Sequence, residues 1–467
     1  MGASAWLARE RTVAASGYSR WLIPPTALAI HLSIGQVYAF SVFKSPIETY
    51  FGVDKTASGW VFSIAILLLG LSAAFGGTWV ERVGPRKAMF VAASCWSGGF
   101  AISALGVATH QLWLVYLGYG FVGGIGLGIG YISPVSTLIK WFPDRPGLAT
   151  GLAIMGFGGG ALIASPWSSS MLRAFGVTYE GAVATLVPTS ALVGAFVIHA
   201  VVYFGFMMFG VLMVRLPAPG WHPEGYDPQA AKLKPMQTRA NVSANNALRT
   251  PQFWLVWTVL FLNVTAGIGI LEGAKPMILD FFRDDVTQAA AAGFVALLSF
   301  ANMAGRFVWS STSDVIGRKP TYLMYLGVGA LAYLVVATAG QASLVLFILL
   351  TCLIISYYGG GFSTVPAYLK DLFGTYQVGA IHGRLLTAWS AAGVAGPLVI
   401  NAIADARAAA GISGADLYIP ALQIMVGVLI VGFVANLFIR PVHERHHEPA
   451  APTAEEASMP AKQGGPQ

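Results

Sequence analysis

Gly77-Thr-Trp-Val-Glu81-Arg-Val-Gly84-Pro-Arg86-Lys87 is echoed later in the chain by Ser310-Ser-Thr-Ser-Asp314-Val-Ile-Gly317-Arg318-Lys319. Asp314 and Gly317 each lie 233 positions after Glu81 and Gly84. Both stretches follow one long apolar run and precede another. In each, the acid suits a network at a helix end, the glycine a tight turn, and the basic pair an anchor on one side of a membrane. A weaker echo joins Lys140-Trp141-Phe142 to Lys370-Asp371-Leu372-Phe373. The chain therefore reads as two related halves.

Composition agrees with a membrane location. The chain has 467 residues, is 56% hydrophobic and only 10% charged, with a mean hydropathy of +0.66. A soluble chain would carry about a quarter charged residues. Apolar runs long enough to cross a bilayer fall at 21–43, 57–80, 88–108, 111–139, 146–172, 190–214, 252–272, 289–313, 319–340, 343–369, 382–404 and 418–440. The expected fold is an all-α membrane protein, with twelve transmembrane helices in two pseudo-symmetric bundles of six. Residues 178–189 read either as an extension of the sixth helix or as an outer loop.

The expected organisation is an N-terminus over 1–20, a first bundle over 21–214, a linker over 215–251, a second bundle over 252–440 and a disordered tail over 441–467. Pro217, Pro219, Pro223, Pro228 and Pro235 break any helix in the linker, and Lys232, Lys234, Arg239 and Arg249 add charge there. The tail is rich in Pro, Ala and Glu without periodicity. With both ends cytoplasmic, all 27 Lys and Arg fall inside except Lys44, Lys55, Arg173, Lys275, Arg283 and Arg407, with Arg306 inside a span. The positive-inside rule favours that orientation. The basic pI near 9.3 arises from these short loops and gives no patch for nucleic acid. Cys95 and Cys352 lie in apolar runs without metal-ligand spacing.

The repeated loops resemble the signature of the major facilitator superfamily. Finer motifs are similar to the oxalate/formate antiporter family, a bacterial and archaeal branch related to monocarboxylate transporters. They are His31-Leu-Ser-Ile-Gly-Gln-Val-Tyr38-Ala-Phe-Ser-Val-Phe43, Lys140-Trp-Phe-Pro-Asp144-Arg145-Pro-Gly-Leu-Ala-Thr-Gly151 running on to Gly156-Phe-Gly-Gly-Gly160, and Thr250-Pro-Gln-Phe-Trp254 followed by Asn263-Val-Thr-Ala-Gly-Ile-Gly269. The resemblance covers roughly residues 20–440. It implies a secondary transporter in the bacterial inner membrane, working as a monomer without a cofactor.

Arg306 is the most informative residue. It lies eight positions before Asp314, about 12 Å into the bilayer and close to the middle of a core about 30 Å thick. An arginine there costs about 2.5–3.5 kcal/mol on insertion scales and must face a partner, a cavity or water. Its planar fork matches a carboxylate. No acid in the spans lies at comparable depth, so the charge points to a small organic anion as substrate. Asn302, one turn away on the same face, either touches that substrate or bonds between helices. The animal monocarboxylate transporters carry an aspartate at that position, so their form of proton relay does not carry over. Resemblance to lactate-transporting relatives places Tyr131 and Tyr357, in the fourth and tenth helices, near the carboxylate. The family's eponymous exchanger uses a lysine in the eleventh helix for a dianion. Here Trp389 or Ala392 stands in its place, which favours a monocarboxylate such as lactate, pyruvate or formate.

His31 and His382 are candidates for carrying a coupled proton, since histidine titrates near physiological pH. The other reading, hydrogen-bonded structure, is the more usual one for a lone histidine in a packed helix. Glu272 and Lys275 read as a surface ion pair or as part of an outer gate. Glu81, Gly84, Arg86, Asp314, Gly317 and Arg318 would form a conformational latch on the cytoplasmic side. Gly124-Ile-Gly126-Leu-Gly128-Ile-Gly130 resembles a nucleotide fingerprint but has no preceding strand; Gly120, Gly124 and Gly128 instead mark close helix packing. His443, His446 and His447 fit a solvated tail better than a metal site. No paired nucleophile, Walker loop or metal-ligand set supports an enzyme or a pump. Oxalate/formate exchange, carriage of a larger organic anion, and a transporter-like anion sensor are the alternatives.

Overall fold

The computed structural model describes residues 6–53, 55–180, 183–227, 236–282 and 285–448. Among them, twelve helical units follow one another. In the first half α1 runs over Ile23–Ile34 and, after a bend of 49°, Ser41–Phe51. Then come α2 (Lys55–Val83), α3 (Pro85–Ala108), α4 (Leu112–Trp141, with a π-helical stretch over Tyr116–Val122), α5 (Pro146–Ala174) and α6 (Thr189–Met213). The second half holds α7 (Pro251–Phe281), α8 (Gln288–Ile316), α9 (Arg318–Ala339), α10 (Leu344–Phe373), α11 (Val378–Leu385 and Thr387–Ala409) and α12 (Ile419–Leu437). Among the described residues nine helices are long and apolar enough to cross a membrane, ten if bent α1 counts as one. The helices α8 and α11 lie outside that count.

Side-chain caps start several helices. The hydroxyls of Thr250, Thr287 and Ser343 accept from Phe253, Ala290 and Leu346 N–H, satisfying first-turn donors of α7, α8 and α10. Gly84 and Gly317 take φ of +83° and +93°, so the repeated loop makes the same turn in each half. The glycines of α4 pack as read from their spacing. A Cβ at Gly124 would lie 2.6 Å from Leu68 Cβ on α2, and one at Gly120 3.1 Å from Ile64.

Packing repeats with the same offset of six helices. The pairs α1 with α5, α2 with α4 and α3 with α6 are matched by α7 with α11, α8 with α10 and α9 with α12. The halves meet along α5 with α8 and α2 with α11, two contacts that exchange under the same two-fold.

Residues 178–189 settle as a hairpin. Thr178–Glu180 (β1) pairs antiparallel with Val183–Leu186 (β2). Ala184 fastens it to α1, its carbonyl accepting from Thr49 at 2.7 Å and its N–H donating to Ser45 at 2.8 Å. In the linker, 228–235, with Pro228, Lys232, Lys234 and Pro235, lie outside the described residues. The part that follows is pinned to the end of α10: Thr238 N–H donates to Asp371 O and Val242 N–H to Phe373 O, both at 2.9 Å. The tail read as disordered begins with a held segment, because Glu448 accepts from Ser243 N–H and Asn246 Nδ2 at 3.1 Å. Its remainder, 449–467, is outside the described residues, as is Arg283; the side chain of Glu272 is likewise not described, and Lys275 is exposed.

The halves lock together at the end where the chain begins and ends. Asp314, at the end of α8, accepts from Gly147 and Leu148 N–H in the first turn of α5, each at 2.8 Å. Glu81, at the end of α2, accepts from Gly379 N–H in the first turn of α11 at 3.2 Å. Each acid thus sits at the positive end of a helix from the opposite half. Within its own half Asp314 is held by Arg318 at 2.5 Å, and Arg318 also reaches Asp371 at 3.2 Å. Glu81 is held by Lys140 and Ser136, both at 2.6 Å. Tyr226 of the linker lies by Asp144 and Asp371; burial and then these carboxylates push its phenol above the ordinary range.

Arg86 departs from the expected latch. It is turned into its own half, donating to the carbonyls of Trp6 (3.2 Å), Arg11 and Val214 (both 3.5 Å) and stacking on Trp6. At the offset of 233 Arg86 corresponds to Lys319 and Arg318 to Pro85; in the echo of Lys140 and Lys370, Trp141 stands where the second half has Asp371, so among the described residues Arg86 has no matching acid.

Losing the Asp314 caps should weaken the latch by about 1–2 kcal/mol, opening this end roughly fivefold to thirtyfold more often. Maleimide labelling of Thr137→Cys, beside Glu81, in a background with Cys95 and Cys352 replaced by serine, reads that opening. Asp314→Ala should speed it and Arg86→Ala should not. An unchanged rate in Asp314→Ala would remove Asp314 from the latch.

Candidate functional site

Midway along α8 the Arg306 side chain is 1% exposed. Its Nε donates to Asn302 Oδ1 at 3.0 Å, one turn back on the same helix. Its Nη1 donates across the interface to the Ile154 carbonyl of α5 at 3.3 Å. Its Nη2 has no hydrogen-bond partner. Among the described residues no carboxylate bonds to it; ion pairs lie instead at the latched end, among them Arg20–Asp144, Lys140–Glu81, Arg318–Asp314, Arg318–Asp371 and Lys370–Asp371. Small residues let α5 come close: a Cβ at Gly158 would sit 3.4 Å from Arg306 Nε.

Aromatic rings enclose the guanidinium. Phe157 of α5 and Phe362 of α10 lie 5.9 and 5.5 Å from it, within cation–π range. Trp389 of α11 is the hub, with its ring 5.6 Å from Phe157, 4.8 Å from Phe362, 5.8 Å from Tyr131 and 6.3 Å from Tyr38. Two phenols in this shell, Tyr38 and Tyr131, have buried hydroxyls that no hydrogen bond of ordinary length satisfies, that of Tyr38 lying close to Tyr358 and Arg306. The charge of Arg306 acts on Tyr38, Tyr131 and Tyr358. A buried cation with a spare N–H, flanked by two spare hydroxyl donors and apolar walls, suits one small anion.

Of the residues expected at this site, Arg306, Asn302 and Tyr131 come together. Asn302 makes a bond that neither reading foresaw, since its oxygen accepts from the guanidinium within α8. Tyr357 does not join them: its ring packs on Trp309 at 5.2 Å and Tyr325 at 5.4 Å. One residue on, a helix turns by about 100°, and Tyr358 faces inward, 5.2 Å from Phe362. Tyr38, Phe157 and Phe362 were not singled out. For Tyr38 a signal was available, because it follows His31 by seven residues, two turns along the same face.

The two histidines differ. His31 on α1 is fully buried, with Nδ1 2.6 Å from the Ala153 carbonyl of α5 and Nε2 3.1 Å from the Tyr131 carbonyl of α4. His382 on α11 is also buried, 5.9 Å from the Tyr131 ring, and neither of its nitrogens has a partner. In the tail His443 accepts from Arg445 N–H. Among the described residues no group of His, Cys, Asp and Glu could hold a metal.

The family model described as Major Facilitator Superfamily matches residues 26–397 and 274–463. The chain is 26% identical over 383 residues to the oxalate:formate antiporter of Oxalobacter formigenes, covering 81% of this chain and 83% of that one. It is 25% identical over 369 residues to apicoplast pyruvate carrier 1 of Toxoplasma gondii, covering 71% and 66%. Among solved structures it resembles the E. coli fucose:proton symporter FucP in the outward conformation, with a TM-score of 0.66, 14% identity, and coverage of 90% and 99%. The proteins it resembles are transporters and not enzymes. A two-fold pair of helical bundles around a buried charge, matched over nearly its whole length, therefore belongs to the Major Facilitator Superfamily, and the chain is a multi-pass membrane transporter.

Proposed function

We propose that this protein is a secondary active transporter of a small monocarboxylate across the bacterial inner membrane, coupled to protons and working by alternating access. The observation that carries this reading is Arg306, buried with Nη2 unpartnered beside the spare hydroxyls of Tyr38 and Tyr131. A carboxylate would take the free N–H and both phenols, replacing solvation the site does not otherwise supply. The walls explain the preference for one charge. Where a second cation would be needed for a dianion, Trp389 presents an apolar ring, and a second anionic charge left unpaired there costs several kcal/mol. An apolar body such as the methyl of lactate or pyruvate instead meets Phe157, Phe362 and Trp389.

In this reading both termini are cytoplasmic, so the latched end faces inward and the structure is closed on that side. A carboxylate enters from outside and seats on Arg306. The halves then rock apart along α5–α8 and α2–α11, and Asp314 and Glu81 release the helix ends they cap. The protein acts as a monomer in the bilayer. A second reading, anion exchange of the oxalate/formate type, draws on the similarity to the Oxalobacter antiporter.

The test is uptake of labelled lactate or pyruvate into liposomes under an imposed pH gradient. Arg306→Ala removes a charged partner worth about 2–5 kcal/mol, so uptake should fall at least about thirtyfold, with thermal stability in detergent held. Arg306→Lys should retain a measurable fraction, since it keeps charge but loses the fork. Full uptake by Arg306→Ala would sink the site. Fast exchange of preloaded oxalate for formate, without gradient-driven uptake, would favour the second reading.

A further inference from the structure

His31 and Arg306 come from opposite halves, yet they hang from consecutive carbonyls of α5: Ala153 O for His31 and Ile154 O for Arg306. The His31 ring also faces a second acceptor, the Tyr131 carbonyl, through its other nitrogen. A neutral imidazole has one N–H and can satisfy one of these oxygens; its other nitrogen is then a lone pair against a carbonyl. The imidazolium donates to both. The two acceptors therefore match the protonated ring, while the complete burial of His31 works against its charge.

The surrounding groups add one fixed charge. From α4 the facing titratable group is Tyr131, its ring 5.3 Å away. From α5 there are only the Ala153 carbonyl and Gly156, where a Cβ would lie 3.1 Å from that of His31. From α3 comes Trp96, which donates to Ser33 O and does not titrate. On α6 His199 and Tyr203 are gathered around Phe100. Across the interface, Arg306 and His382 act on or beside the ring. Arg306 is the fixed positive charge among these.

We infer that His31 is the proton-binding site of this carrier, coupled to the anion site through Arg306 and the shared backbone of α5. This rests on the reading of Arg306 as the carboxylate site. A carboxylate on Arg306 cancels the like charge that opposes a second cation close by, so anion binding favours the proton and the proton favours the anion by the same factor. The proton comes from solution onto a ring nitrogen of His31, and the loaded centre holds two cations and one anion in place of one bare cation.

The experiment is proton uptake by the purified full-length protein in weak buffer near pH 7.5, on adding pyruvate, with equilibrium binding of labelled pyruvate measured in parallel. The wild type should take up about one proton per pyruvate bound. His31→Gln should bind pyruvate and take up none. His199→Gln, whose ring already bonds Ser168 and Ala195, should behave as the wild type. Undiminished uptake in His31→Gln, or loss that follows His382→Gln instead, overturns the assignment. Pyruvate binding by the wild type with no proton uptake overturns it while leaving the Arg306 site standing; no binding of any monocarboxylate takes down both. Should His31→Gln fail to bind, the wild type alone decides. Its pyruvate affinity should weaken about tenfold per pH unit above neutrality, and a flat profile overturns the inference.

Discussion

A single uncompensated charge organises this molecule. Arg306 sits in the middle of α8 with one donor to its own helix, one to a carbonyl of the other half and one to nothing. Burying a guanidinium without a counter-ion is expensive even after hydrogen bonds and aromatic faces have lowered the cost. The structure tolerates it by crowding apolar rings around it and by letting α5 approach closely through Gly151 and Gly158. On the proposed reading, an arrangement that costs this much in the empty state would gain correspondingly on binding an anion. The binding energy of such a site is set by the desolvation already completed during folding.

The ends of the helices provide the complementary device. Asp314 and Glu81 each cap a helix that belongs to the opposite bundle, so closure at that end depends on dipoles that rigid bundles carry with them. These contacts are few, local and polar. They can break without disturbing either core, because within each half α1 with α5, α3 with α6 and their repeats hold independently. The two caps are unequal: Asp314 receives two backbone donors and Glu81 one. Parting of α5 from α8 should therefore govern opening more than parting of α2 from α11.

The repeat was legible because it rests on residues with few substitutes. Only glycine turns freely at a φ near +90°, and only an acid caps a foreign helix with two oxygens, so Gly84, Gly317, Glu81 and Asp314 stood out. Arg306 was legible for the same reason, since a charge at that depth demands a cause. The rest of the site was hidden because its members are ordinary apolar residues whose role depends on rotation about a helix axis. Tyr357 and Tyr358 differ by one position, and spacing alone cannot say which of two adjacent tyrosines faces the axis. Arg86 misled for the opposite reason: the motif repeats, but its partner is supplied by the N-terminal segment rather than by a matching acid.

The electrical state of the centre links these parts into one cycle. An empty carrier holding Arg306 bare moves a positive charge whenever the halves rock, and in a membrane at 100 mV that charge is worth about 2.3 kcal/mol if it crosses the full field. A monocarboxylate on Arg306 makes the centre neutral; a proton then restores the charge the empty carrier had. Loaded and empty forms so matched would respond alike to membrane potential, and accumulation would follow the proton gradient alone. A dianion in the same cage would leave the loaded centre one unit more negative than the empty one, even with a proton bound. On the proposed reading, the aromatic ring of Trp389, where a second cation would have balanced that charge, would bear on the energetics of the whole cycle as well as on the fit of the substrate.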